Sequence, residues 1–167
     1  MVKANWSIFE EDFYSLERIL KNLIQSSSSK SVMLIDKTGQ MVSSIGEPPG
    51  FDVTSFSSLT AASFSANQEL ASMVGEMDFN TIVHQGQRES MYVSLIGTRV
   101  ILVVLFDRTT SLGLVRLKAR RSGEELLLVL TKVFDKLEYR NEDLSATTLG
   151  AEFTAEAESE IDSLFKE

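Results

Sequence analysis

The stretch SLIGTRVILVVLFDRTTSLGLVRLKAR, residues 94–120, decides the fold. A strand ends at Ile96, Gly97-Thr98 marks a tight turn, and every residue from Val100 to Phe106 is apolar. A strand with one wet face alternates apolar and polar residues, whereas an unbroken apolar run is covered on both faces. Helices on both sides of a sheet, or a second subunit on one side, must supply that cover. After Asp107, Leu112, Val115, Ala119, Leu126, Leu130, Val133 and Leu137 keep one helical stripe. One long helix is therefore expected straight through Ser122-Gly123, weakened at Gly123 by about 1 kcal/mol. Leu126 to Leu130 are apolar in succession and cover more than one face of it.

Upstream, Asn80 to Gln85 and Ser90 to Ile96 read as two more strands, separated by Gln85-Gly86-Gln87. Strands this closely spaced form an antiparallel meander with the run at 99–106. Val32 to Ile35 and Met41 to Ile45 form a hairpin about Asp36 and Gly39. Two helices complete the order. The first is opened by a Ser7/Glu10 capping box and carries Phe9, Phe13, Leu16, Leu20 and Leu23 as a seam, fraying into a polar serine linker at 26–29. The second runs from about Val53 to Glu76, with Asp52 as N-cap and Phe51 and Phe56 as a hydrophobic staple.

The second helix has two unlike faces. Phe56, Leu59, Ala66, Leu70, Met73 and Met77 are expected to pack on the sheet. Ser58, Ala61, Ser65, Glu69 and Ser72, flanked by Ala62 and Phe64, are expected to face outward. An outward face of serine and alanine lets another backbone come close; tolerated surface residues of fair helix propensity are the plain alternative.

The chain of 167 residues has a net charge of −8 and no cysteine. Residues 141–167 hold eight acids against Lys166, or −7, which leaves −1 for residues 1–140. That near-neutral body lacks the clustered positive charge on which nucleic-acid binding rests. Arg116, Lys118, Arg120 and Arg121 form one basic cluster, most simply a solvated helix face. No apolar run approaches the roughly 20 residues of a membrane span. The N-terminus lacks the plan of a secretory signal, so the cytoplasm is the expected compartment.

Signatures of chemistry are sparse. His84 is the single histidine and has no nucleophile motif beside it. There is no phosphate-binding GxxxxGK[ST] loop, no GxGxxG and no carboxylate–histidine metal spacing. No cofactor, metal or catalytic residue is expected, and the chain reads as an interaction module. Its fold class is α+β, in the order α-ββ-α-βββ-α, with a five-stranded, mostly antiparallel sheet.

The element order and the stretches VMLIDKTGQMVSSIG (32–46), TSFSSLTAAS (54–63), residues 94–120 and the closing EIDSLFKE (160–167) resemble the Roadblock, or dynein-light-chain-like, family in its bacterial branch. The resemblance implies a Roadblock domain over residues 1–140. It also implies a homodimer in which the two sheets join across the subunit boundary and the second helices pair. It further implies a regulator with no active site of its own: two subunits bind one small Ras-like GTPase and stimulate GTP hydrolysis, in the service of cell polarity and motility, with enrichment at a cell pole. Activation is implied to proceed without an inserted arginine, and Arg88, Arg99, Arg108 and Arg116 all lie off the second helix. By position, the GTPase contact would be Ser58, Ala61, Ala62, Phe64, Ser65 and Glu69, with Gln68 and Glu69 departing from the small residues that face can carry. Residues 141–167 would be a flexible acidic tail in which Ile161, Leu164 and Phe165, spaced for one helical face, make a second contact. A Roadblock scaffold subunit that holds a GTPase complex without accelerating hydrolysis is the alternative. A small-molecule sensor is less well supported, because no polar pocket residues stand out.

Overall fold

The structure is a computed structural model that describes the backbone of residues 10–148 and the side chains of residues 10–137. Its elements are α1 (Glu10–Ser27), β1 (Ser31–Asp36), β2 (Met41–Gly46), α2 (Val53–Met73), β3 (Thr81–Gln85), β4 (Glu89–Ile96), β5 (Val100–Asp107) and α3 (Leu112–Thr148). Two compact units divide the chain, residues 1–130 and 131–167. The described part of the second is the C-terminal end of α3. That helix runs without a break past Arg140 to Thr148, so the first residues of the acidic segment are helical.

The strands form one antiparallel sheet in the order β2-β1-β5-β4-β3. The apolar run of β5 takes the centre of the sheet, and Val100 to Val104 are fully buried. Period-two alternation sorts the two faces. Met33 lies opposite Val103 and Ile35 opposite Ile101, and these residues join Val93, Ala61 and Phe64 in the core beneath α2. Val32, Leu34, Leu102 and Val104 point to the other face, where α1 buries Leu16, Ile19, Leu20 and Leu23 and α3 buries Val115, Ala119, Leu126 and Leu130. The seam expected of α1 is thus its buried face. Each such leucine contributes about 1.5–3 kcal/mol. Phe9 and Ser7 lie outside the described residues.

Gly123 has a packing role. It is buried, and a Cβ there would stand 3.0 Å from Ile96 Cδ1. The missing side chain lets α3 close on the end of β4. Among the five successive apolar residues, Leu126 and Leu130 are buried while Leu127 and Leu128 are exposed.

The serine run is not a polar linker. α1 extends to Ser27, Ser28 takes a left-handed φ of 52°, and the Ser29 amide donates to the Ile24 carbonyl at 3.3 Å. That bond spans five residues, the mark of a Schellman-type helix stop. Ser27 Oγ donates to the Leu23 carbonyl at 2.6 Å and lies 2.7 Å from Ser29 Oγ, and both serines are buried. The run saturates a buried helix end, where an unmet carbonyl would be costly.

Candidate partner-binding surface

α2 starts where the sequence places it. The Asp52 carboxylate accepts from the Ser55 amide at 2.7 Å, and the Phe51 and Phe56 rings are 4.5 Å apart. Hydrogen bonds from the Ser55 hydroxyl and amide hold the Asp52 carboxyl below its ordinary range, so it caps the helix as an anion.

The orientation of α2 about its axis differs from the expected one: Phe56 packs against the core and Ser58, Ser65, Glu69 and Ser72 face outward as expected, but the rest of the expected inner stripe does not go inward. Ser57, Thr60, Ala61, Phe64 and Ala71, spaced at three, one, three and seven residues, are buried. Leu59, Leu70, Met73 and Met77 are between 53% and 94% exposed. Close approach limits bulk on one flank of the helix. The β1–β2 turn presses on the helix at Gly39, whose absent Cβ would lie 2.9 Å from Ser58 Cα. The turn is fixed by the buried Asp36 carboxylate, which accepts from the Thr38 amide, the Thr38 hydroxyl and the Gln40 amide at 2.8, 2.6 and 2.9 Å. A backbone held this near the helix leaves room only for a small residue at position 58, while the inner face is made of serine, threonine and alanine with Phe64 as the one large fully buried anchor.

Of the residues expected to meet a GTPase, Ala61 and Phe64 are therefore part of the core beneath α2. Ser58, Ala62, Ser65 and Glu69 are exposed and fall on one longitudinal strip with Ser72. Beside that strip runs a second, of Leu59, Ala66, Leu70 and Met73, with Met77 just past the helix end. The outward surface of α2 is thus divided lengthwise into a small polar half and an apolar half. Ile161, Leu164 and Phe165 lie outside the described residues.

A further part of this surface was not legible in advance. β3 is an open edge of the sheet, with Phe79 exposed just before it and close in sequence to the exposed Val74 and Met77; Val83, also exposed, points to the face away from α2, because its neighbour Ile82 packs against the core beneath that helix. Unpaired edges with apolar side chains are templates for another chain. The available signal was the brevity of β3, at five residues, and its place next to the end of α2.

His84 is exposed on β3. A groove of 560 Å³ is lined by Gln87, Arg88, Asp107, Arg108 and Thr109, but its carboxylate is committed. The Asp107 carboxyl is held below its ordinary range by the Thr109 hydroxyl and amide, 2.6 and 2.9 Å away. The Arg108 guanidinium donates to the Gln87 carbonyl at 3.1 Å. No cluster of three or more metal-ligating side chains occurs among the described residues, and none of their helices is long and apolar enough to cross a membrane.

A five-stranded antiparallel sheet in this order, with helices on both faces and an outward second helix, defines a Roadblock-type domain. The Roadblock/LC7 domain family matches residues 16–106, more than half of the chain, and the chain belongs to that family. Among solved structures, MglB of Myxococcus xanthus is 39% identical, with a TM-score of 0.71 over 75% of this chain and 95% of that one. The gliding protein MglB of Thermus thermophilus is 27% identical, with a TM-score of 0.72 over 78% and 99%. A structure of MglB with a tetrameric arrangement is also 27% identical, with a TM-score of 0.73 over 79% and 99%.

Proposed function

We propose that the protein is a homodimeric activator of a small Ras-like GTPase of the MglA type, with no active site of its own. The observation that carries this reading is the lengthwise division of α2, which offers two different surfaces on one helix. The apolar half suits a second copy of the chain. Leu59 and Met73 stand seven residues either side of Ala66, so two α2 helices laid antiparallel about Ala66 set Leu59 of each against Met73 of the other. A small residue at the crossing lets the axes approach. The open β3 edge beside it pairs with its symmetry mate and continues the sheet. Such an arrangement is isologous and closed.

The polar half, Ser58, Ala62, Ser65 and Glu69, then lies doubled beside the dimer axis, where one GTPase meets two subunits. The likeness to MglB supports the choice of partner. No arginine lies on α2, so activation acts by binding the hydrolysis-competent switch conformation more tightly than the other, and is limited by that difference in affinity. The acidic segment from 141 onward, ending in Ile161, Leu164 and Phe165, adds a tethered second contact that raises effective concentration. The cellular output is polarity and motility.

Single-turnover GTP hydrolysis by the cognate GTPase, with and without saturating protein, tests the reading. Acceleration supports activation. Tight binding without acceleration replaces it with a scaffold role.

A further inference from the structure

The first half of α3 carries a surface that neither the fold nor the proposed GTPase contact uses. Its inner side, Val115, Ala119 and Leu126, is buried. On the opposite side Leu117 and Leu128 are exposed, three helical turns apart, with exposed Arg116, Arg120 and Arg121 around Leu117 and exposed Glu124, Glu125 and Lys132 around Leu128. Among the described residues none of these three arginines forms an ion pair. A leucine framed by three guanidinium groups, with a second exposed leucine three turns on along the same face, fits an amphipathic segment whose apolar stripe is flanked by carboxylates at the end that meets the arginines.

This chain contains such a segment. Ala157, Ile161, Leu164 and Phe165 recur at the spacing of one helical face, among Glu156, Glu158, Glu160 and Asp162. We propose that the C-terminal segment of a second copy of this chain docks on the Leu117/Leu128 stripe of α3, its carboxylates meeting Arg116, Arg120 and Arg121. The inference rests on the homodimer reading above, because a second copy held in the same assembly supplies the segment at high effective concentration. Docking there occupies the side chains that would otherwise reach the GTPase. The free dimer therefore holds its second contact in reserve, and GTPase binding at that contact competes with the α3 stripe.

The absence of cysteine makes the test direct. A full chain carrying Leu128→Cys and Phe165→Cys is oxidised at low concentration with copper phenanthroline and run on a denaturing gel without reductant. The expected result is a disulfide-linked species of twice the chain mass. It is lost when Arg120→Glu and Arg121→Glu are added, and absent from a Ser26→Cys/Phe165→Cys control. Linkage no greater than in the control, or only within single chains, overturns the inference. Light scattering on the untreated chain separates the two readings: a monomer there refutes the homodimer, whereas a dimer without the cross-link refutes only the docking. A second readout leaves α3 unsubstituted. In an Ile161→Ala/Leu164→Ala/Phe165→Ala chain, amide exchange at residues 117–128 accelerates severalfold, and unchanged exchange counts against docking.

Discussion

Leu59 and Ala61 stand two positions apart on α2 and point opposite ways: Ala61 is 5% exposed and Leu59 is 71% exposed. Burying a leucine is worth about 1.5–3 kcal/mol, so a helix that turns its leucine outward and its alanine inward forgoes that gain within the single chain. On the homodimer reading proposed above, a second copy of the chain would cover that leucine.

Truncating that outer stripe weakens association and spares the fold. Leu70→Ala and Met73→Ala each cost about 1–2 kcal/mol of dimerisation, a rise of roughly tenfold in the dissociation constant. Sedimentation equilibrium measures the shift, and unchanged far-UV circular dichroism shows that the domain is intact.

Crowding the polar strip separates binding from assembly. Ser65→Arg or Ala62→Arg leaves the dimer in place and lowers stimulation of GTP hydrolysis by at least about tenfold, a loss of some 1.4 kcal/mol. Leu70→Asp, by contrast, removes the dimer and the stimulation together. Paired hydrolysis and light-scattering measurements on the same preparations distinguish the two outcomes.

Ala61 and Phe64 behave as core residues. Phe64→Ala lowers stability by about 3–5 kcal/mol through the cavity it leaves, and Ala61→Leu by about 1–3 kcal/mol through overpacking against the sheet. Urea unfolding gives both values. Loss of GTPase binding with full stability in either variant would return these side chains to the interface.

The serine stop at the end of α1 is a coupled unit. Ser27→Ala costs about 1–3 kcal/mol because it leaves the buried Ser29 hydroxyl without its 2.7 Å partner. Ser29→Ala in that background costs less than it does alone. A double-mutant cycle therefore yields an interaction energy on the order of 0.5–3 kcal/mol, whereas additive losses would show the two hydroxyls acting separately.

The Asp52 cap gives a signed pH dependence. Its carboxyl is lowered in the folded state by Ser55, so its contribution is present above the unfolded value near about 3.9 and lost as pH falls through the lower folded value. The gap in melting temperature between wild type and Asp52→Ala is fully open at neutral pH and closes in acid. A gap that stayed constant into acid would assign the loss to something other than the carboxylate.

Most of the architecture is legible along the chain because it rests on local pattern. The apolar run at Val100–Phe106 places β5 in the middle of the sheet, Asp36 and Gly39 fix the hairpin, and the stripe from Leu112 carries α3 past Gly123. Helix periodicity identifies two faces of α2 without saying which is inside. The buried face is the one with Ser57, Thr60, Ala61 and Phe64, and the rule that larger apolar residues go inward holds for Phe56 and Phe64 but gives the wrong answer for Leu59, Leu70 and Met73. The serines at 26–29 mislead for a related reason. Polar side chains usually signal solvent, but here they serve a buried helix end whose carbonyls need donors. Ser58, Ala62, Ser65 and Glu69 were placed outward correctly. The edge role of β3 depends on strand order, which no local pattern encodes.

The pairing of β1 with β5 also sets an order of events. Ser31 lies opposite Leu105 and Asp36 opposite Val100, so the partner of the first strand is among the last parts of the domain to leave the ribosome. Until then the hairpin of β1 and β2 presents Val32 to Ile35 beside an open ladder, and α1 has only part of a floor to rest on. Closure over so long a span of chain delays consolidation, since the loop entropy is spent before the central contacts form. Val100–Phe106 is thus the strand that joins the two hairpins into one sheet, and without it β1 has a partner on one side only.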